Sequence, residues 1–208
     1  MKRGIAGGVL AGLVLFFWGW ISHEILPLGE AGMRSLPAAG EGAIVAAMRS
    51  ALKERALYAF PSIDRNEMKK PEVRKAWFDR YLAGPSGIIA FDPRPGSHTS
   101  SGTYVARLFG TELACNLLAA LIGALLLAHL PASVGYGRRV ALAAALGLLA
   151  TLEVEAGYWN WFGFPTTYFL AQVADHTIGW LLAGLVLARL SRAKGVELSG
   201  TSDAGAQP

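Results

Sequence analysis

Five of the fifteen acidic residues, Glu24, Glu112, Glu153, Glu155 and Asp175, fall in or at the ends of long apolar stretches, as do His23 and His176. Ionisable groups are costly in an apolar medium, so their presence there points to pairing or to function. Arg107 is the one obvious basic neighbour. Three chemistries suit the set. In the first, His23, Glu112, Glu153, Asp175 and His176 ligate a divalent metal (zinc, iron or manganese), as imidazoles and carboxylates do in helix-bundle cores. In the second, carboxylates pushed towards neutrality by desolvation hold or relay protons, with His176 titrating nearby. The third needs no activity: polar contacts between helices glue the bundle and set its register at about 0.6 kcal/mol each. No HExxH or ExxH is present to fix a metal, and adjacent Asp175 and His176 diverge by about 100° on a helix.

Helical periodicity says which of these groups share a face. Glu112, Asn116, Ala119, Ala120 and Gly123 form one polar or small stripe with Cys115 beside it, and Gln172, Asp175, His176, Gly179 and Ala183 form another. Both stripes are expected to face a bundle interior, with Leu181, Leu182 and Leu185 towards lipid. Glu153 and Glu155 lie about 200° apart on a helix, so one alone faces inward. Glu153 shares its face with Gly157 and Asn160, which assigns Glu153 inward and leaves Glu155, like Glu24, near the headgroups.

The elements that must carry these residues follow from composition. Of 208 residues, 53% are hydrophobic and 16% charged, and the apolar ones collect in four blocks. These span 4–26, 106–130, 140–159 and 166–190. About 20 helical residues cross the roughly 30 Å hydrocarbon core of a bilayer, and a closed helix satisfies backbone groups that lipid cannot. The expected fold is an all-α membrane protein, a four-helix transmembrane bundle with a small extracytoplasmic α+β subdomain at 27–105 and a cytoplasmic tail at 191–208.

Basic flanks set the orientation. Lys2 and Arg3, Arg138 and Arg139, and Arg189, Arg192 and Lys194 all fall on one side of an even-numbered path, which puts both termini in the cytoplasm. Trp18, Trp20, Tyr158, Trp159, Trp161 and Tyr168 gather at the opposite boundary, where aromatic rings sit at headgroup level. A rise of about 1.5 Å per residue then sets Glu112 and Glu153 roughly 8–10 Å below the outer surface and Asp175 and His176 about 13–15 Å below it. The first block is read as a retained span, because the small-x-small cleavage pattern fails at Trp20. Its Gly4, Gly8 and Gly12 make a flat stripe for close approach of another helix, within the chain or in a homo-oligomer, and Gly19 and His23 continue it.

Between the first two blocks, 27–105 holds eleven Lys or Arg against eight Asp or Glu, a solvated surface or a face for anionic lipid or an acidic envelope polymer. Helices are expected over Ala43–Arg55 and from Pro71, where Val73, Trp77 and Tyr81 form a stripe before Gly84-Pro85. Leu57–Phe60 and Ile88–Phe91 are expected to pair as strands. Ser97–Gly102, with His98, and the tail from Ser199 read as linker and disordered end.

Several functions are excluded. A single cysteine cannot close an intramolecular disulfide or build a CxxC site, and Cys115 reads as a packing residue. No G-x-S-x-G elbow and no Walker lysine pattern occur, and the +4 net charge has no basic run for nucleic acid. The strings Trp18-Gly-Trp-Ile-Ser-His-Glu-Ile-Leu-Pro27 and Tyr158-Trp-Asn-Trp-Phe-Gly-Phe-Pro165, with Asp175-His-Thr-Ile-Gly-Trp180, resemble small bacterial four-helix inner-membrane proteins. That resemblance covers the first, third and fourth blocks; it implies a bacterial plasma membrane and brings no activity, cofactor or catalytic residue. The leading expectation is a structural or accessory envelope protein, in contact with membrane lipids and an envelope partner. The alternative is a metal- or proton-dependent membrane enzyme or small transporter using the polar cluster.

Overall fold

The structure is a computed structural model that describes residues 2–94 and 100–190. The tail 191–208, with Arg192 and Lys194, and the stretch carrying Ser97 and His98 lie outside the described residues. The described residues are 73% helical, with four helices long and apolar enough to cross a membrane and one small sheet.

Helix α1 (Lys2–Trp20) passes into a π-helical turn, Ile21–Ile25. A cap subdomain follows: α2 (Ala38–Ala51), β1 (Ala56–Phe60), a 3-10 turn at Glu67–Lys69, α3 (Pro71–Ala83) and β2 (Gly87–Phe91). Three long helices complete the chain: α4 (Ser101–Ala128), α5 (Tyr136–Phe162) and α6 (Thr166–Leu190). Thus α4 starts within the stretch expected to be loop, and α5 extends beyond the expected apolar block at both ends. Ser100 caps α4 by accepting from the Thr103 N–H at 3.2 Å, and no such signal lies at residue 106.

Small residues decide the packing. Helix α1 lies against α4 at Gly8 and Gly12, and a Cβ at Gly12 would stand 2.7 Å from the Leu117 Cα. Gly4 and Gly19 have open space around them, so the close approach involves two members of the expected stripe and stays within the chain. Helix α6 packs on α1 through Gly179 and on α5 through Gly184, which faces Ala143 and Val140. Trp180 fills the space left by Gly123 of α4 and Gly147 of α5. The core is accordingly alanine-rich: Ala11, Ala120, Ala124, Ala143 and Ala183 surround Leu15, Leu127 and Leu187. Large apolar residues such as Leu118, Ile122, Leu149, Leu181 and Leu185 are exposed, an outward-facing apolar surface suited to lipid.

In the cap, β1 and β2 pair antiparallel with Tyr58 opposite Ile89. Pro71 occupies the first turn of α3, and Gly84 ends it with φ of 68°. On α3 the Trp77 indole donates to the carbonyl of Pro61, just past β1, at 3.1 Å and stacks on Tyr81. Of the aromatic residues expected at one boundary, Tyr158, Trp159 and Tyr168 pack against phenylalanines around the α5–α6 turn. Trp159 stacks on Phe169 and donates to Thr166 Oγ1, and Tyr158 stacks on Phe164.

Candidate functional site

At the cap end of the bundle, α1, its π turn, α4 and α6 enclose a cavity of about 580 Å³. The π turn adds an extra residue to the helical ring, which shifts the register of His23 and Glu24 relative to a continued α-helix. Both line the mouth. Glu112, Cys115 and Asn116 come from α4, and Gln172, Asp175 and His176 from α6. Aromatic rings complete the wall: Phe16, Trp18, Trp20, Phe109 and Trp180.

Local hydrogen bonds fix several of these groups. Asn116 Nδ2 donates to Glu112 Oε1 at 3.0 Å, the geometry available to residues one helical turn apart. Nδ1 of His176 contacts the Gln172 carbonyl at 3.0 Å, and Nδ1 of His23 contacts the Gly19 carbonyl at 2.9 Å. A carbonyl oxygen only accepts, so each Nδ1 carries a proton and donates it to the main chain, leaving Nε2 as the ring atom free of these bonds. Gly29 supports the His23 ring: a Cβ there would run into it.

Asp175 differs from the other acids. It is 6% exposed, its main-chain carbonyl accepts from Trp18 Nε1 at 3.0 Å, and its buried Oδ1 has no hydrogen-bond partner in the protein. Gln172 beside it is also buried. Glu24, Glu112 and the two histidines are exposed at the residue level, so polarity grades from an open mouth to a buried carboxylate. No Lys or Arg lines the wall. Arg107, the expected basic neighbour, instead lies over the Tyr104 ring, 5.2 Å from its centroid. Among the described residues the three Lys/Arg–carboxylate ion pairs, Arg55–Asp92, Lys70–Glu67 and Lys75–Asp79, all belong to the cap subdomain.

Two expectations are corrected. Glu153 is exposed and does not line the cavity, whereas Glu155 is half-buried with its Oε2 unpartnered, the reverse of the expected facing. The reason is the buried row on α5, Arg139, Ala143, Gly147 and Thr151, whose four-residue step leads to Glu155. In addition, among the described residues no three His, Cys, Asp or Glu side chains converge to hold an ion. His23, Glu112, Asp175 and His176 share the cavity but not a coordination sphere, so the metal reading is not supported by their geometry.

Residue spacing assigns no role in the site to Trp180, Phe16 or Phe109, and Trp18 and Trp20 are expected at the lipid boundary. The available signal was the glycines: Gly179 admits Trp18, while Gly123 and Gly147 admit Trp180. Cys115 is likewise exposed on the wall rather than packed. Set against known proteins, the chain matches no family model, no curated protein and no solved structure.

Proposed function

We propose that this chain is a multi-pass protein of the bacterial inner (plasma) membrane, with both termini cytoplasmic, that binds a small solute in a cavity in the outer half of the bilayer. The four apolar helices support the multi-pass reading. Arg3, Arg138 and Arg189 lie towards the end opposite the cavity, which supports the orientation. One observation carries the binding role: Asp175 is buried on the cavity wall with an oxygen unpartnered. Interhelical glue would pair such a group, because a buried polar atom without a partner costs about 1–3 kcal/mol, more when charged. No Lys or Arg lines the cavity, so a ligand entering it can supply the counter-charge that the protein does not place beside this acid.

Cys115 is the native reporter, since it is the sole cysteine and stands on the cavity wall. A membrane-impermeant maleimide is expected to label it in right-side-out vesicles and not in sealed inverted ones. Labelling from the cytoplasmic side alone, or only after unfolding, would overturn the reading.

A second reading, an accessory envelope protein acting through its cap, is favoured by the exposed apolar residues Phe78 and Leu82 of α3. It predicts that Phe78→Ser with Leu82→Ser reproduces the phenotype of losing the chain, while Glu112→Gln with Asp175→Asn does not.

A further inference from the structure

We infer that the solute is a small organic cation of the alkylammonium type. The inference rests on the cavity being a binding site, as proposed above, and adds the chemistry of what enters it. The wall offers acceptors and aromatic faces. Glu24, Glu112 and Asp175 are carboxylates, and no Lys or Arg lies among the lining residues to neutralise them. With Nδ1 of His23 and His176 committed to main-chain carbonyls, Nε2 is the polar ring atom each has left. The indoles of Trp18, Trp20 and Trp180 line the same wall, and aromatic rings attract ammonium groups.

The alternatives fit less well. An anion would meet three carboxylates and no fixed positive charge. A neutral solute would leave the buried Asp175 without a counter-charge. A bare metal ion needs converging ligands, which are absent among the described residues. An alkylammonium supplies N–H donors for the carboxylates and a carbon body for the rings. The volume of about 580 Å³ is in the range of small-molecule sites. The same headgroup chemistry occurs in a free amine and in an aminolipid, and the test separates these sources.

The probe is ethanolammonium chloride acting on the full chain, read through modification of Cys115 by an uncharged maleimide. In nonionic detergent, ethanolammonium is expected to slow modification in a saturable way, while sodium chloride at the same ionic strength leaves the rate unchanged. Glu112→Gln and Asp175→Asn are each expected to raise the half-protecting concentration about tenfold, the value of one charge-assisted hydrogen bond. Glu112 is exposed, so its variant keeps the test decisive if Asp175→Asn does not fold. In phosphatidylglycerol vesicles, protection by added ethanolammonium identifies a free amine as sufficient. Protection on replacing part of that lipid with phosphatidylethanolamine, without added amine, identifies the headgroup. Equal protection by sodium and ethanolammonium in detergent, or unchanged protection in both variants, would overturn the cation assignment. Cys115 that is reachable from outside but indifferent to the amine sinks this inference alone, whereas an unreachable Cys115 sinks the cavity reading beneath it.

Discussion

The indole Nε1 of Trp18 donates to the main-chain carbonyl of Asp175 across 3.0 Å, joining residues 157 positions apart. This bond ties α1 to α6 on the cavity wall and engages Asp175 through its backbone, leaving its side-chain Oδ1 unpartnered. Gly179 completes the arrangement, because a Cβ there would come within 2.8 Å of the Trp18 Cδ1. One tryptophan is therefore positioned by a hydrogen bond and by an absent side chain, and the cavity depends on both.

Trp18→Phe removes the donor while keeping an aromatic ring, and is expected to cost about 1 kcal/mol for the lost bond. Gly179→Ala displaces the ring itself and is expected to cost roughly 1–3 kcal/mol, as overpacking does. Thermal unfolding in detergent measures both, and the Cys115 labelling rate should change in each variant because the cavity wall moves. Wild-type stability in Gly179→Ala would show that the indole does not occupy this space.

The polar face was legible where one helix alone defines it. Glu112 and Asn116 are one turn apart and do hydrogen bond, and Gln172 and Asp175 lie together on the buried side of α6. Facing failed on α5, where two acids offered opposite answers and Gly157 suggested the wrong one; Gly157 has open space around it. The small residues Ala143, Gly147 and Thr151 marked the buried row, but which row is covered depends on where α6 lies. The π turn at Ile21–Ile25 and the pairing of glycines with tryptophans had no local signature, since both arise from contacts between distant segments. In the cap, alternation and turn residues sufficed to indicate both strands and α3.

Glycine substitutions on α1 should separate by position. Gly12→Ala sets a methyl group against the Leu117 backbone, which cannot give as a side-chain tip can, and is expected to destabilise by roughly 1–3 kcal/mol. Gly4→Ala meets nothing within 4 Å and is expected to leave stability unchanged or slightly raised through better helix propensity. Unfolding temperatures of the two variants, compared under one detergent condition, check the contrast. Equal losses would place α4 elsewhere.

The Lys75–Asp79 pair gives a pH prediction for the cap. A 2.8 Å hydrogen bond from Lys75 Nζ to Asp79, and then the charge of Asp79, raise the lysine pKa above its ordinary value. Folding therefore binds this proton more tightly than the unfolded chain does. Any stabilisation is fully present below the ordinary lysine value and lost as pH rises through the raised one. The pair is exposed, so water and salt screen it. Lys75→Ala is expected to lower the neutral-pH unfolding temperature little, if at all, and to become indistinguishable from wild type once pH passes the raised lysine value. A clear loss at neutral pH would mean that the pair is shielded from water.

Arg139 was expected to be one of the charges that orient the chain, yet it is 1% exposed and acts as a bracket for the α4–α5 connection. Its guanidinium donates to the carbonyls of Leu127, Leu130, Pro131 and Val134, at distances from 2.7 to 3.2 Å. Those oxygens lie at and beyond the C-terminal end of α4, where the helix dipole favours a positive charge. Lysine keeps the charge but lacks the planar fork that reaches four acceptors. Loss of two bonds to a charged donor, at about 1.5–3 kcal/mol each, makes Arg139→Lys costly by roughly 3 kcal/mol or more. Arg139→Met is expected to be at least as damaging, because it leaves the same carbonyls unpaired, whereas exposed Arg138→Ala should be nearly silent for stability. Thermal unfolding separates the three variants, and the side from which Cys115 is labelled reports orientation in each. A stable Arg139→Lys would show that the four carbonyls are satisfied without the fork; inverted labelling in Arg139→Met would restore Arg139 to the role of an orienting charge.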